Sequence, residues 1–99
     1  MERTVEGNVV AYKTEDDTVY AITAINPAAG ILGISQLPFN AKADIDYIFE
    51  DSGVQKLILF IPDEATNEKK IARNVGFKQE GRLKRATPTG DLLVFGQYR

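Results

Sequence analysis

The sequence contains no cysteine, no histidine and no tryptophan among its 99 residues. Without cysteine, disulfide scaffolds, thiolate zinc sites and thiol catalysis are excluded. Without histidine, the chain lacks the commonest general base, the Ser-His and Cys-His nucleophile pairs and the commonest ligand of transition metals. Any chemistry must therefore use carboxylates, tyrosine, lysine, backbone groups or water, and no metal site is expected.

Long apolar runs are also missing. No window approaches the roughly 18 continuous apolar residues that cross a bilayer, and the opening Met-Glu-Arg-Thr-Val-Glu-Gly has no apolar signal region. We therefore expect a soluble, cytoplasmic protein without a membrane partner. Its length and its 43% hydrophobic content suit one compact domain over residues 1–99.

Charged residues are divided unevenly along the chain. Residues 1–52 hold three basic and nine acidic side chains, a net charge of −6, whereas residues 53–99 hold nine basic and five acidic ones, a net charge of +4. Such asymmetry can mark an anion-binding face, but scattered, solvated side chains are its commoner cause. We favour the solvated surface.

The first half of the chain predicts three strands. Polar residues 14–17 join the first two into a hairpin, because they separate runs rich in β-branched and aromatic residues. Asn26, Pro27 and Gly30 are expected to break the chain before the third strand. The predicted strands cover residues 8–13, 18–25 and 31–37.

A helix is predicted over residues 40–52. Asn40 is the expected N-cap, and Gly53 is the expected left-handed residue after the last turn. The acidic side chains Asp46, Glu50 and Asp51 are expected to serve solubility. Apolar residues recur at i, i+4, i+7 and i+8 and define one core-facing stripe, which consists of Ala41, Ile45, Ile48 and Phe49.

The second half predicts a buried strand, a helix and a closing hairpin. Residues 56–61 are continuously apolar, as expected of a central strand covered on both faces, and Pro62 ends this strand. A second helix is predicted over residues 64–75, with Gly76 just beyond its end. The hairpin strands follow over residues 78–86 and 92–98. The complete order, β-β-β-α-β-α-β-β, is a mixed α/β arrangement.

Short motifs recur in the second half in a defined order: a strand ending in proline, Gly-Phe after a helix, a Glu-Gly turn, and Gly-Asp before an aromatic strand. They occupy residues 57–62, 74–77, 80–82, 90–91 and Phe95. In this order, residues 54–99 resemble the closing section of a GNAT (Gcn5-related) N-acetyltransferase domain. The resemblance is closest to the branch that acetylates ribosomal-protein N-termini and to short acetyltransferase-like proteins of bacteriophages. It implies a minimal GNAT-like mixed sheet.

The resemblance also implies a cofactor, acetyl-coenzyme A, between the strands of residues 31–37 and 57–61. In the family, a Gln/Arg-x-x-Gly-x-Gly/Ala loop binds the pyrophosphate through backbone N–H groups at a helix start. The equivalent residues 36–43 contain no glycine. The candidate cofactor-binding residues are Ser35, Gln36, Asn40, Ala41, Lys42 and Asn67.

Further positions depart from the family pattern. In the family, two residues of the helix before Gly-Phe face the cofactor: an asparagine and, one turn later, a small residue. Counting back from Gly76, these positions are Ala65 and Glu68 in this chain. A carboxylate at the second position would face the polyanionic cofactor, which is unfavourable. Asn67 replaces the asparagine only if the first turn is irregular, because two residues rotate a helix face by about 200°. Many family members carry a tyrosine in this helix as the general acid, and Ala72 stands at that position here. We expect the four tyrosines to be packing residues: Tyr12, Tyr20, Tyr47 and Tyr98.

Two functions stay open at this point. The first is acetyl transfer from acetyl-coenzyme A to an amine, with amine attack assisted by water or a carboxylate. The second is a non-catalytic structural or interaction role, for example in a phage particle, which the residues Glu68 and Ala72 favour.

Partners are expected on two grounds. The resemblance places the start of the chain near the family's second strand, without the elements that wall the acceptor site, so a second copy or another protein is expected to complete the fold. Nucleic-acid binding by Lys78, Arg82, Lys84 and Arg85 is not favoured, since no aromatic residues are interleaved with these charges and the net charge is −2.

Overall fold

The computed structural model of the chain describes residues 1–35 and 41–99. Within these residues the element order agrees with the prediction of a mixed α/β fold, with one strand added at the start. The elements are β1 (Glu2–Glu6), β2 (Val9–Lys13), β3 (Val19–Asn26), β4 (Ala29–Ile34), α1 (Ala41–Ser52), β5 (Lys56–Pro62), α2 (Thr66–Asn74), β6 (Lys78–Thr87) and β7 (Gly90–Tyr98).

Strand β1 is the element that the apolar pattern does not predict. All five of its residues are exposed, so its sequence carries no alternation of buried and polar side chains. Glu6 pairs with Val9, which leaves only Gly7 and Asn8 in the turn, and Gly7 has a φ of +59°. A Gly-Asn pair between two strands is itself a signal of a two-residue hairpin. That signal reveals β1 where hydrophobicity does not.

Gly30 lies inside β4, and the prediction that it breaks the chain is wrong. The turn between β3 and β4 contains only Pro27 and Ala28, and the Asn26 side chain accepts a hydrogen bond from the Ala28 amide at 2.8 Å. A Cβ on Gly30 would lie 2.4 Å from Cγ2 of Ile22. Glycine is therefore needed at this position because strand β3 packs so closely against it.

All seven strands belong to one sheet in the order β1-β2-β3-β4-β5-β7-β6. Neighbouring strands are antiparallel except β4 and β5, which run parallel and are connected through α1. A parallel connection requires such a crossover because the chain must return to the same end of the sheet. Strand β5 consequently lies inside the sheet, between β4 and β7.

Both helices pack on the same face of the sheet. The hydroxyl of Tyr20 in β3 donates a hydrogen bond to Asp44 of α1 at 2.8 Å. The guanidinium of Arg73 in α2 lies 5.6 Å from the ring centre of Phe95 in β7. The strand registers place Tyr20 and Phe95 on one side, since directly paired residues share a face. We call the other side of the sheet the open face.

Helix α1 buries the stripe predicted from its sequence. Gly53 ends the helix as predicted, with a φ of +75° and its amide donating to the Phe49 carbonyl at 3.2 Å. The predicted N-cap, Asn40, lies outside the described residues. The stripe residues are at most 4% exposed and comprise Ala41, Ile45, Ile48 and Phe49.

Helix α2 begins two residues later than predicted, and Ala65 at its N-cap offers no side-chain acceptor. Its other end confirms the prediction. Phe77 N donates to Ala72 O at 2.9 Å and Gly76 N donates to Arg73 O at 3.1 Å, which is the hydrogen-bond pair of a Schellman motif. Neither α1 nor α2 is long and apolar enough to cross a membrane.

An ion cluster joins the closing hairpin to the end of β5. Nη1 of Arg82 donates to Asp63 at 3.0 Å and to Asp91 at 2.7 Å, and Nζ of Lys69 donates to Asp63 at 3.1 Å. Lys69 and Arg82 hold the pKa of Asp63 below its usual range. The Gly-Asp motif of the sequence therefore has a structural role, because its carboxylate anchors the hairpin.

Replacing Gly76 by alanine should lower the free energy of unfolding by about 1–2 kcal/mol, because a side chain at positive φ is strained. Gly76 has a φ of +105°, and the new Cβ would lie 2.9 Å from Nε2 of Gln97. Urea denaturation measures the change. Gly90→Ala is the matched control, since its Cβ would meet nothing within 4 Å. Equal losses in the two variants would contradict this account of Gly76.

The buried tyrosines should make the protein sensitive to alkaline pH. Burial and the hydrogen bond to Asp51 raise the pKa of Tyr12 from 10.0 to about 12, and burial with the Asp44 hydrogen bond raises the pKa of Tyr20. Because these pKa values are higher in the folded chain, the stability from the neutral phenols is complete below pH about 10 and is lost at higher pH.

Urea midpoints measured from pH about 8 to about 12 test this dependence. The double variant Tyr12→Phe/Tyr20→Phe should be less stable at neutral pH and should lose most of the decline above pH about 10. Lys56, whose pKa is raised by its bond to Glu80, supplies a residual slope. A double variant with the full wild-type decline would show that other groups cause it.

Candidate functional site

Strands β4 and β5 separate after a short paired section. Residues 29–31 are opposed to residues 56–58, and beyond Ile31 and Ile58 the register contains no further pair between the two strands. Both strands nevertheless continue, β4 to Ile34 and β5 to Pro62. Parallel strands that lie side by side pair evenly along their length. The loss of pairing means that the two strands diverge toward their carboxyl ends.

The divergence leaves a slot of about 410 Å³ between the strands. Its described walls are residues 32–35 and residues 59–62, and Glu68 of α2 lies beside it. The volume is within the range of small-molecule sites, about 300–1,000 Å³. Since the two strand edges do not pair with each other here, their backbone N–H and C=O groups can receive an extended molecule.

Two polar side chains stand among the apolar walls of the slot. Ser35 is held against β3, because its amide donates to the Val19 carbonyl and its Oγ accepts from the Val19 amide, both at 3.0 Å. A hydroxyl that accepts in this way keeps its own O–H for a ligand. Glu68 is exposed in the first turn of α2. Glu68 occupies the helix position that faces the cofactor in the family pattern.

The other candidate residues are distributed over several places. Ala41 is buried at the start of α1, so only its backbone can serve a ligand. Lys42 is exposed, forms an ion pair with Asp46 at 2.7 Å and lines a separate groove beside Gln97. Gln36 and Asn40 lie outside the described residues. Of the described candidates, only Ser35 lines the slot.

Asn67 lies on a different side of α2 from the slot. It lines a cavity of about 260 Å³ together with Lys70, Ile71 and Asn74. The helix is regular from Thr66, so the irregular first turn that would bring Asn67 to the position of Glu68 is absent from this described segment. Helical phase accounts for the separation, because adjacent residues point about 100° apart.

Groups suited to acid catalysis are scarce at the slot. Ala72 is fully buried in the core, and Tyr12 and Tyr20 are fully buried between the sheet and α1. No tyrosine is among the described residues that line the slot. Among residues 1–35 and 41–99, no group of three or more metal-binding side chains could hold an ion.

The sequence interpretation missed Gly33, which lines the slot on the side of β4. A Cβ on Gly33 would meet only the Ala21 carbonyl, at 3.9 Å, so packing does not demand glycine there. An isolated glycine inside a strand pattern is a signal of close approach by a ligand or another backbone. That signal was available in the apolar run of residues 31–37.

No protein-family model matches the chain, and no curated protein matches its sequence. Solved structures do resemble it. Spermidine N-acetyltransferase from Vibrio cholerae, in complex with CoA and spermine, matches with a TM-score of 0.71 and 15% identity over 91% of this chain and 64% of its own. A GNAT-family acetyltransferase from Bacillus anthracis gives a TM-score of 0.68 at 15% identity, covering 92% and 66%. The chain has the GNAT fold.

A third GNAT-fold neighbour is ribosomal-protein-S5-alanine acetyltransferase from Vibrio fischeri, with a TM-score of 0.67 and 16% identity over 82% of this chain and 53% of its own. The chain spans less than two thirds of the length of each of these three proteins. The GNAT fold expected from the motifs of residues 54–99 is thereby confirmed. The slot lies between the two strands where the resemblance places the cofactor.

Proposed function

We propose that the slot binds the pantetheine arm of acetyl-coenzyme A. The observation that carries this proposal is the divergence of the parallel strands beyond Ile31 and Ile58. Pantetheine is an extended chain with amide groups, so it can pair with free strand edges as a peptide does when it extends a sheet. The GNAT fold supports the same choice, and one structural neighbour is a complex with CoA.

Acetyl transfer to an amine is the reaction that such a complex would support. The amine nitrogen attacks the thioester carbon, the C–S bond breaks, coenzyme A leaves as a thiolate, and the nitrogen loses a proton. Glu68 is the one carboxylate among the described residues of the slot. We assign it the amine proton, taken directly or through water, and we assign the Ser35 hydroxyl a hydrogen bond to the cofactor.

A non-catalytic role is the second candidate, and the same carboxylate favours it. Glu68 repels the phosphates of the cofactor, and Ala72 supplies no proton donor. A chain that folds without binding the cofactor would act as a structural or interaction protein, for instance in a phage particle. Turnover of acetyl-coenzyme A with any amine distinguishes the two candidates.

Blocking the slot with Gly33→Leu should weaken acetyl-coenzyme A binding at least about tenfold while the protein stays folded, because the added side chain fills the slot and its Cβ meets no clash. Isothermal titration calorimetry measures the affinity. Gly81→Leu is the matched control, since Gly81 also lies in a strand and its Cβ would stay 3.9 Å from Val94. Absence of wild-type binding at millimolar acetyl-coenzyme A would refute the proposal.

Removing the charge of Glu68 distinguishes the two candidates. If the carboxylate takes the amine proton, Glu68→Gln should lower the rate of acetyl transfer about 10²-fold or more. If it faces the phosphates, which the pantetheine arm separates from the thioester, the same change should tighten acetyl-coenzyme A binding about three- to tenfold, because one like charge is lost. Glu15→Gln, in an exposed turn, controls for net charge. Unchanged affinity in Glu68→Gln would place the carboxylate away from the phosphates.

A further inference from the structure

The open face of the sheet carries apolar side chains without a covering layer among the described residues. Helices α1 and α2 both pack on the opposite face, against Tyr20 and Phe95. The apolar residues of the open face stand side by side on five neighbouring strands and are only partly buried: Val9, Ala21, Ile31, Ile58, Phe60 and Val94. This arrangement is typical of a face that packs against another sheet.

One row of directly paired residues crosses the open face from edge to edge. It begins at Glu6 on β1, passes through Val9, Thr23, Ile31, Ile58 and Gly96, and ends at Lys78 on β6. Its ends therefore carry opposite charges, and Ile31 is its middle member. Glu6 and Lys78 are both exposed, and neither has an ion-pair partner within residues 1–35 and 41–99.

We propose that two copies of this chain pack face to face through their open faces. A two-fold axis parallel to the strands at Ile31 reverses the row, so Glu6 meets Lys78 of the partner subunit at both ends and Ile31 meets its own copy. A two-fold axis along the row would instead bring each Glu6 to the partner subunit's Glu6. Like charges in contact are unfavourable, so the first axis is selected.

The charges of the two edge strands favour the same axis. Strand β1 has a net charge of −1 and strand β6 has a net charge of +3. The axis parallel to the strands places β1 over β6 of the partner, so opposite net charges meet. An axis along the row would place β6 over the partner's β6, which is unfavourable.

The dimensions of the face are adequate for a stable dimer. The two longer extents of the molecule are 35 and 28 Å. An outline of this size is comparable to the area of about 800 Å² that each partner buries in a typical interface. The axis also brings β6, with Leu83 at 46% exposure, over β1 and β2 of the partner. There Thr4, Glu6, Val9 and Ala11 line a trough of about 360 Å³.

Sedimentation equilibrium tests the inference, which does not depend on the proposed function. The wild-type chain should have about twice its 11.0 kDa mass. Leu83→Glu should raise the dimer dissociation constant at least about tenfold, because it places a charge within the interface. Val5→Glu is the matched control: Val5 is 58% exposed on the other edge strand and pairs with Val10, on the face that carries the helices. It should leave the dimer intact.

A charge exchange tests the axis. Glu6→Lys should weaken the dimer about tenfold, because it replaces two symmetry-related attractions by repulsions. The double variant Glu6→Lys/Lys78→Glu should restore the wild-type dissociation constant. Circular dichroism confirms that every variant is folded. A monomeric wild type at millimolar concentration, equal effects of Leu83→Glu and Val5→Glu, or failure of the double variant to restore the dimer would each overturn the proposal.

Discussion

Among the described residues, the two halves of the sheet, β1–β4 and β5–β7, pair with each other only along a short seam, where residues 29–31 oppose residues 56–58. At the near end of this seam, the Ala28 carbonyl also accepts the amides of Gln55 and Lys56, at 2.7 and 3.1 Å. Every other strand pair runs within one half. The slot requires this short pairing between β4 and β5, because strands that paired along their whole length would leave no room between them. The cohesion of the molecule must therefore come largely from outside the seam.

Helix α1 supplies that cohesion. It follows β4 and precedes β5, and its apolar stripe packs on the face where both halves contribute side chains to one core. The hydroxyls of Tyr12 and Tyr20 bind the carboxylates Asp51 and Asp44, which fixes the helix over β2 and β3. Asp51, which was predicted to serve solubility, and Asp44, for which no role was predicted, therefore anchor the helix, because a buried phenol needs a hydrogen-bond partner for its proton.

Most of the fold was open to prediction from the sequence because its signals are local. The stripe of α1, the glycines that end both helices and the closing hairpin all depend on residues close in the chain. Strand β1 was not predicted because all five of its residues are exposed. Gly30 was wrongly predicted to break the chain, because close packing against strand β3, and not a turn, requires glycine there. The local apolar pattern reveals neither feature, whereas the Gly7-Asn8 turn signal does mark β1.

The site was predictable only in part. Helical counting placed Glu68 correctly beside the slot, since phase within a helix is a short-range property. Asn67 and Lys42 line other cavities because each belongs to a different face of its helix. The slot itself depends on where two distant strands stop pairing. The point where pairing stops is set by packing over the whole sheet, so only the family resemblance predicted the slot.

The unpaired edges of β4 and β5 make the sheet structurally incomplete at its centre. Any extended molecule that occupied the slot would act as an additional strand, and it would connect the halves where the chain itself does not. Ligand occupancy and folding would then be thermodynamically linked, since a molecule that binds only the folded state stabilises it by mass action. The gap in which we propose that a ligand binds is also the place where an added strand would stabilise the sheet most.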